Sequence, residues 1–436
     1  MDSNTMVEGP FMQLKHMHPA EQLLMMMERI YGYGMTTTSG GNLSVRDEKG
    51  NIWITPAGVD KGALTREDMV CVLADGTVVG LNKPSSEFPF HQLIYRARPD
   101  LQAVIHAHPP ALVAFSIVRR IPDLSILPND YYICGEVGMA EYALPGSVQL
   151  GDNIASVFAR GINTVMLENH GVVVGGLDLF EAFKRFETFD FCARLEIKAH
   201  RLGQPVSVAV DRTGLKQNAE LEEFSPAGVE DQEKALRQEM CKLIRRAYEQ
   251  RLFTSTQGTF SQRLDGNSFL ITPFDEDRNY LEPQDLVAIR GGRKEAGKTP
   301  SRSVLLHQHI YETQPHVNSV LIAHPPSIMA FAVTDAPFDS RIIPESYILL
   351  RNIPKLPYGT TFLEPKQIAA ALTKDTPIVL AHNDCVIVTG GSLLQAFDRL
   401  EVAEYSAKAI ISARCLGDIV PIHHDKIQEI HVAFKL

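Results

Sequence analysis

The chain has 436 residues, 44% of them hydrophobic and 22% charged, the balance of an ordinary globular protein with a full core and length for two or three domains. A formal net charge of -10, with no Lys/Arg block to offset it, argues against a general nucleic-acid surface. No apolar run is long enough to span a bilayer and no signal-peptide pattern opens the chain, so the expected partner is a small molecule rather than a nucleic acid or a membrane.

The polar, Met-rich start from Met1 to His18 is expected to fray. Glu21 to Met35 then carries apolar residues at helical spacing (Leu23, Leu24, Met27, Ile30 and Tyr31). The small-residue loop that follows, Thr36 to Gly41, runs into a strand through Asn42, Leu43, Ser44, Val45 and Arg46. Its glycines let backbone N–H groups approach an anion, although on these residues alone a plain turn is the commoner meaning. Asn51 to Thr55 is a second strand. Thr65 caps a short helix through Met69, and Val70 to Val79 is a hairpin about Asp75-Gly76.

Ser85 or Ser86 is placed to cap a helix running to about Ala97, with Pro89 in the first turn, where its missing N–H costs nothing. Glu87 then lies beside the helix N-terminus, where an acidic residue ordinarily just favours the dipole. Leu101 to His108 is a strand ended by Pro109-Pro110. His106 and His108 are two apart, so both point to one face at its rim, as a strand presents two ligands to one metal. Alone, such a pair is more often a core or surface feature. Pro122 to Ser147 reads as a loop. Thr164 to Leu167 is another strand and delivers Glu168, Asn169 and His170 to a glycine turn before Val172. Asp178 caps a helix from Leu179 to Arg201.

Six cysteines (Cys71, Cys134, Cys192, Cys241, Cys385 and Cys415) form no CxxC pair and read as buried thiols of a reducing compartment, the cytoplasm. The polar, charge-mixed segment 216–230 reads as a linker between domains 1–215 and 231–436. Beyond it the pattern restarts: a helix from Glu239 to Leu252, a small-residue loop at Thr254 to Gly258, and the strand Val320 to His324 before Pro325-Pro326. Ser301 follows Ser85 by the same interval as His324 follows His108 (301 − 85 and 324 − 108), the mark of a tandem duplication. The second copy has Ser303 in place of Glu87, Ile322 in place of His106 and Asp384 in place of His170, keeping only His324. A structural or interface role is expected for it.

With these residues in place, the chain resembles the class II aldolase/adducin family twice over, from about Glu21 to Val206 and from about Asp231 to Val432. Ser39-Gly40-Gly41-Asn42, Pro84-Ser85-Ser86-Glu87, His106-Ala107-His108-Pro109 and Asn169-His170-Gly171 carry the likeness in the first copy. The resemblance implies two α/β domains, each an α/β/α sandwich around a central, mainly antiparallel sheet. It implies His106, His108 and His170 as metal ligands, for zinc or alternatively Fe2+ or Mn2+, and Glu87 as general acid/base. Three neutral imidazoles leave open positions on such an ion, which a hydroxy-carbonyl substrate can chelate. The implied activity is that of a lyase cleaving a C–C bond, by retro-aldol reaction or decarboxylation, through a metal-stabilised enolate. Gly41, Asn42, Ser85 and Ser86 match the family's phosphate cradle, but Ala57-Gly58 lacks one hydroxyl donor, which favours a carboxylate or a non-phosphorylated substrate. Tyr131, and Tyr347 at the same place in the second copy, are candidates for the tyrosine acid that family aldolases borrow from a neighbouring subunit. A homo-oligomer is expected, with a dimer of tandem chains as one form. An Fe2+-dependent oxygenase on the same histidines is the alternative among enzymes. A non-catalytic adducin-like module is the alternative outside them.

Overall fold

The computed structural model describes residues 17–209, 218–226 and 228–436, so most of the start expected to fray and part of the segment read as a linker lie outside the described residues. The chain packs as two compact units. One runs to Leu124 and resumes from Asp130 to Arg194, and the other comprises Ser125–Asn129 and the chain from Leu195 onward.

In the first unit, β1 (Asn42–Arg46), β2 (Ile52–Ile54), β3 (Val70–Val72), β4 (Val78–Val79), β5 (Ala103–Ala107), β6 (Val137–Ala140), β7 (Thr164–Leu167) and β8 (Val172–Gly176) form one sheet. Their order is β4-β3-β2-β1-β5-β8-β7-β6, antiparallel throughout except for β6 beside β7. The central strands β5, β7 and β8 are nearly continuous apolar runs, buried at every residue, so both of their faces are covered. Val104, Val165 and Val173 meet Ile94, Ile154, Val157 and Phe158 from α2 (Phe88–Ala97) and α5 (Val148–Phe158), while α1 (Pro19–Gly32) packs on β1 and β2. Gly151 permits the close approach of the two helices, because a Cβ there would meet Leu93 Cδ1 at 2.7 Å. The remaining helices are α3 (Pro110–Ile117), α4 (Pro128–Cys134) and α6 (Leu179–His200). The stretch read as a loop from Pro122 to Ser147 therefore holds α4 and β6, elements too short for periodicity to declare.

The cap of α2 is a second difference. Its N-cap residue is Glu87, which makes no side-chain cap bond, rather than a serine; Ser85 Oγ instead accepts from the Glu87 N–H at 3.3 Å. The Glu87 side chain is drawn away to partners on β1 and β5. Elsewhere the caps are as expected: Thr65 and Asp68 form a capping box, and Asp178 Oδ1 accepts from Glu181 N–H at 2.7 Å.

The second unit repeats the plan. Strands β9 (Glu223–Phe224), β10 (Thr259–Asp265), β11 (Ser268–Ile271), β12 (Val287–Arg290), β13 (Arg293–Glu295), β14 (Ser319–Ala323), β15 (Lys355–Leu356), β16 (Ile378–Ala381) and β17 (Cys385–Gly390) pair in the order β15-β16-β17-β14-β10-β11-β12-β13-β9. Only β15 with β16 and β13 with β9 are parallel. β9 lies inside the segment read as a linker: backbone pairing to β13 makes it an edge strand, which its charged sequence hides. Helices α7 (Asp231–Glu249) and α8 (Val304–Thr313) stand where α1 and α2 stand in the first unit. All six cysteines are free, five of them buried and Cys415 exposed. Among the described residues no helix is long and apolar enough to cross a membrane.

Candidate metal centre

The β1–β5 register sets Asn42 opposite His106, and the β5–β8 register sets His106 opposite Val173. His106 Nδ1 donates to the Val172 carbonyl at 3.0 Å, which leaves the Nε2 lone pair free. His108, two residues on, brings its Nε2 within 3.1 Å of His106 Nε2. His170 comes from the turn between β7 and β8, where Asn169 takes a left-handed φ of 52°, and its ring stacks on His108 with centroids 5.0 Å apart. One ligand nitrogen from each of the three lies within 4.8 Å of the others. Two nitrogens bound to one tetrahedral zinc are separated by about 3.3 Å, so the three rings are gathered closely enough to close on a divalent ion by side-chain shifts of about 1–2 Å. Burial lowers the pKa of His108 to about 3 and that of His170 to about 4, so both rings are neutral ligands at neutral pH.

Glu87 is 8% exposed and sits at the edge of this cluster. Its Oε2 accepts from Asn42 Nδ2 at 2.7 Å and lies 3.3 Å from His106 Nε2; Oε1 lies 3.8 Å from His170 Nε2 and has no hydrogen-bond partner. Burial by itself would raise its pKa, but His106, Asn42 and His170 outweigh it and hold the carboxyl below the ordinary carboxylate range. Glu87 is therefore ionised at neutral pH, with one oxygen fixed and the other available.

The glycine loop closes the other side. A Cβ on Gly40 would meet His108 Nδ1 at 2.9 Å, and one on Gly41, whose φ is +73°, would meet the His106 carbonyl at 2.9 Å. Ser85 is buried beside Glu87 and Ser86 is exposed. Both amide ends of Asn42 are engaged, Nδ2 with Glu87 and Oδ1 with His91, so less of it is left for a substrate than its sequence position suggests. Tyr131 and Tyr347 are not gathered here. Tyr131, on α4, makes a ring contact with Tyr132, and the Tyr347 hydroxyl pairs with His431 Nε2 at 2.6 Å.

Two residues went unnoticed in the sequence. His91, one turn into α2, is wholly buried behind Asn42. Lys61 is 3% exposed and donates from Nζ to the Pro56 carbonyl at 2.5 Å, next to the Ala57-Gly58 turn. Its burial is set by the tertiary fold, and only the rarity of a lysine among turn residues hinted at it.

The family model of the class II aldolase and adducin N-terminal domain matches residues 21–197 and 238–411. A 3-oxo-tetronate 4-phosphate decarboxylase of Haemophilus influenzae is 32% identical over 179 residues, 40% of this chain and 85% of its own. A 5-deoxy-D-ribulose 1-phosphate aldolase of Bacillus thuringiensis is 32% identical over 195 residues, 42% of this chain and 87% of its own. A solved L-fuculose 1-phosphate aldolase matches 44% of this chain and 90% of its own at 33% identity, with a TM-score of 0.40. Each matched region lies within one of the two copies, and the relatives are aldolases and decarboxylases. The chain belongs to the class II aldolase and adducin family, as a carbon–carbon lyase built from two tandem copies of the family domain.

Proposed function

We propose that the first copy cleaves a C–C bond of a hydroxylated carbonyl or carboxylate compound, by retro-aldol reaction or decarboxylation, and that the second copy has lost that chemistry. The observation that carries the reading is the half-satisfied Glu87, ionised, buried and edged against His106 and His170 with Oε1 unpartnered. His106, His108 and His170 would hold a divalent ion, zinc in our reading, which would supply Lewis acidity toward the substrate carbonyl. Glu87 Oε1 then takes or returns the proton at carbon or oxygen as the enediolate of the substrate forms and collapses. Gly40, Gly41 and the Asn42 amide close the site from behind.

The relatives' substrates share a chemical core. Cleaving a ketose 1-phosphate between its third and fourth carbons, and removing CO2 from a 3-oxo acid 4-phosphate, both leave the enediolate of dihydroxyacetone phosphate. The printed names of these relatives carry a phosphate, and our candidate to balance a charged group, phosphate or carboxylate, on the substrate is Lys61, which is buried with its Nζ on the Pro56 carbonyl beside the Ala57-Gly58 turn and would have to exchange that partner for the anion. The reading carries with it a homo-oligomeric enzyme of the cytoplasm.

The test is metal-dependent solvent deuterium exchange at the α-carbon of dihydroxyacetone phosphate and of dihydroxyacetone, followed by NMR. We expect exchange that a chelator stops and that Glu87→Gln lowers by about a hundredfold or more. Lys61→Met should raise KM for the phosphorylated probe alone. Absence of exchange from either probe with zinc-loaded protein would overturn the reading. Bound iron with oxygen consumption would replace it by the oxygenase.

A further inference from the structure

Behind Glu87 stands a line of buried polar side chains that bond-breaking itself does not require. Asn42 Nδ2 donates to Glu87 Oε2 at 2.7 Å, and Asn42 Oδ1 lies 2.5 Å from His91 Nε2. Turning the amide over would set its carbonyl oxygen against a carboxylate oxygen, so its orientation is fixed. His91 Nε2 must therefore carry a proton and donate it. Burial lowers the His91 pKa to about 3, so the ring holds one proton only and Nδ1 accepts. It accepts from Ser44 Oγ at 2.7 Å, and Ser44 Oγ accepts from the Tyr95 hydroxyl at 2.8 Å. The donor roles of Asn42, His91 and Ser44 are each forced by the next, and the Tyr95 hydroxyl, which also lies 3.1 Å from the Ser44 carbonyl, has no proton left to accept from Ser44 Oγ. All the protons point one way, toward Glu87.

The second copy supplies an internal control. Ser261 Oγ lies 2.6 Å from His307 Nδ1 and 2.7 Å from the Tyr311 hydroxyl, repeating the inner half of the line. There it stops. Thr259 takes the strand position of Asn42, pairing with Ile322 as Asn42 pairs with His106, and its hydroxyl turns to Ser301 Oγ at 2.7 Å. His307 Nε2 is left buried with no hydrogen-bond partner. The Tyr–Ser–His part thus belongs to the fold, whereas the asparagine link exists only where there is a glutamate to hold.

We propose that His91 is a positioning residue: backed by Ser44 and Tyr95, it locks the Asn42 amide so that Glu87 Oε2 is held and Oε1 stays turned toward the reacting atoms. The proposal rests on the lyase reading for its catalytic consequence, but the hydrogen-bond line itself does not. Freed from His91, the Asn42 amide can rotate, and Glu87 loses the donor that fixes its carboxylate plane.

The test uses the full zinc-loaded chain. In the 15N spectrum of labelled histidines, the His91 ring, assigned by its loss in His91→Gln, should show a protonated Nε2 and a bare Nδ1; the opposite tautomer overturns the proposal. With dihydroxyacetone phosphate as probe, His91→Leu should lower the exchange kcat by about ten- to a hundredfold, with KM and zinc content unchanged. His91→Gln, whose amide still donates to Asn42, should recover most of that loss. His307→Leu should leave exchange unchanged. Should His91→Leu fail to fold, Ser44→Ala and Tyr95→Phe carry the same test, with smaller falls in kcat. An unchanged kcat in folded variants, or equal falls in His91→Leu and His91→Gln, overturns the proposal. If wild-type protein neither binds zinc nor exchanges, the lyase reading fails, and the tautomer alone decides whether the line exists.

Discussion

A Cβ placed on Gly171 would come within 2.6 Å of both the Ala107 carbonyl oxygen and His108 Cδ2. Neither neighbour can yield: the first is β5 backbone and the second is a ring pinned between His106 and His170. Gly171→Ala should therefore tilt His108 out of the set and weaken zinc binding by at least about tenfold, with the circular dichroism unchanged. Unaltered zinc affinity by competition with a chelator would contradict this. At this scale much was legible in the sequence. His106 and His108 declare a shared face by their spacing, and the family motifs added Glu87 and His170. The engagement of both ends of Asn42, and the burial of Lys61 and His91, were not legible, because each depends on partners 5 to 49 positions away that local pattern cannot supply.

At the scale of elements, the site is a property of three adjoining strands and one helix. β1 carries Asn42 and Ser44, β5 the histidine pair, β8 the carbonyl that orients His106, and α2 both Glu87 and His91. The helix is held in place by α5, which packs on it through Leu150 and Ile154. Phe158, at the end of α5, is wholly buried, and Phe158→Ala should cost about 3–5 kcal/mol in urea unfolding. A loss under about 1 kcal/mol would show that α5 is not part of the core that supports the site. Apart from β6, the strands of this sheet could be read from apolar runs and turn residues. α5 could not, and neither could β9: the first follows a stretch that reads as loop, and the second is an edge strand whose charged residues resemble a linker. Glu87 as the cap residue of α2 reverses the expectation for Ser85 and Ser86, because its carboxylate has stronger partners in Asn42 and His106 than a helix terminus offers.

For the whole molecule, the two copies share one plan, and among the described residues the three-histidine group lies in the first. Both bury a histidine at the same place: burial lowers the pKa of His91 and of His307 to about 3. An unfolded chain binds their protons near pH 6.5, so between about pH 6.5 and pH 3 the unfolded state holds more protons and stability falls as the pH drops. Each ring should cost about 2 kcal/mol by pH 5 relative to neutral pH, read as a falling urea midpoint; a flat profile from pH 7 to pH 5 would contradict this. The central claim, however, is that chemistry resides in the first copy alone, and metal content addresses it most directly. Mass spectrometry on chain purified without added metal should find about one zinc per chain, lost in His108→Ala and kept in His324→Ala. Two ions per chain, or a metal that survives His108→Ala, would contradict the account.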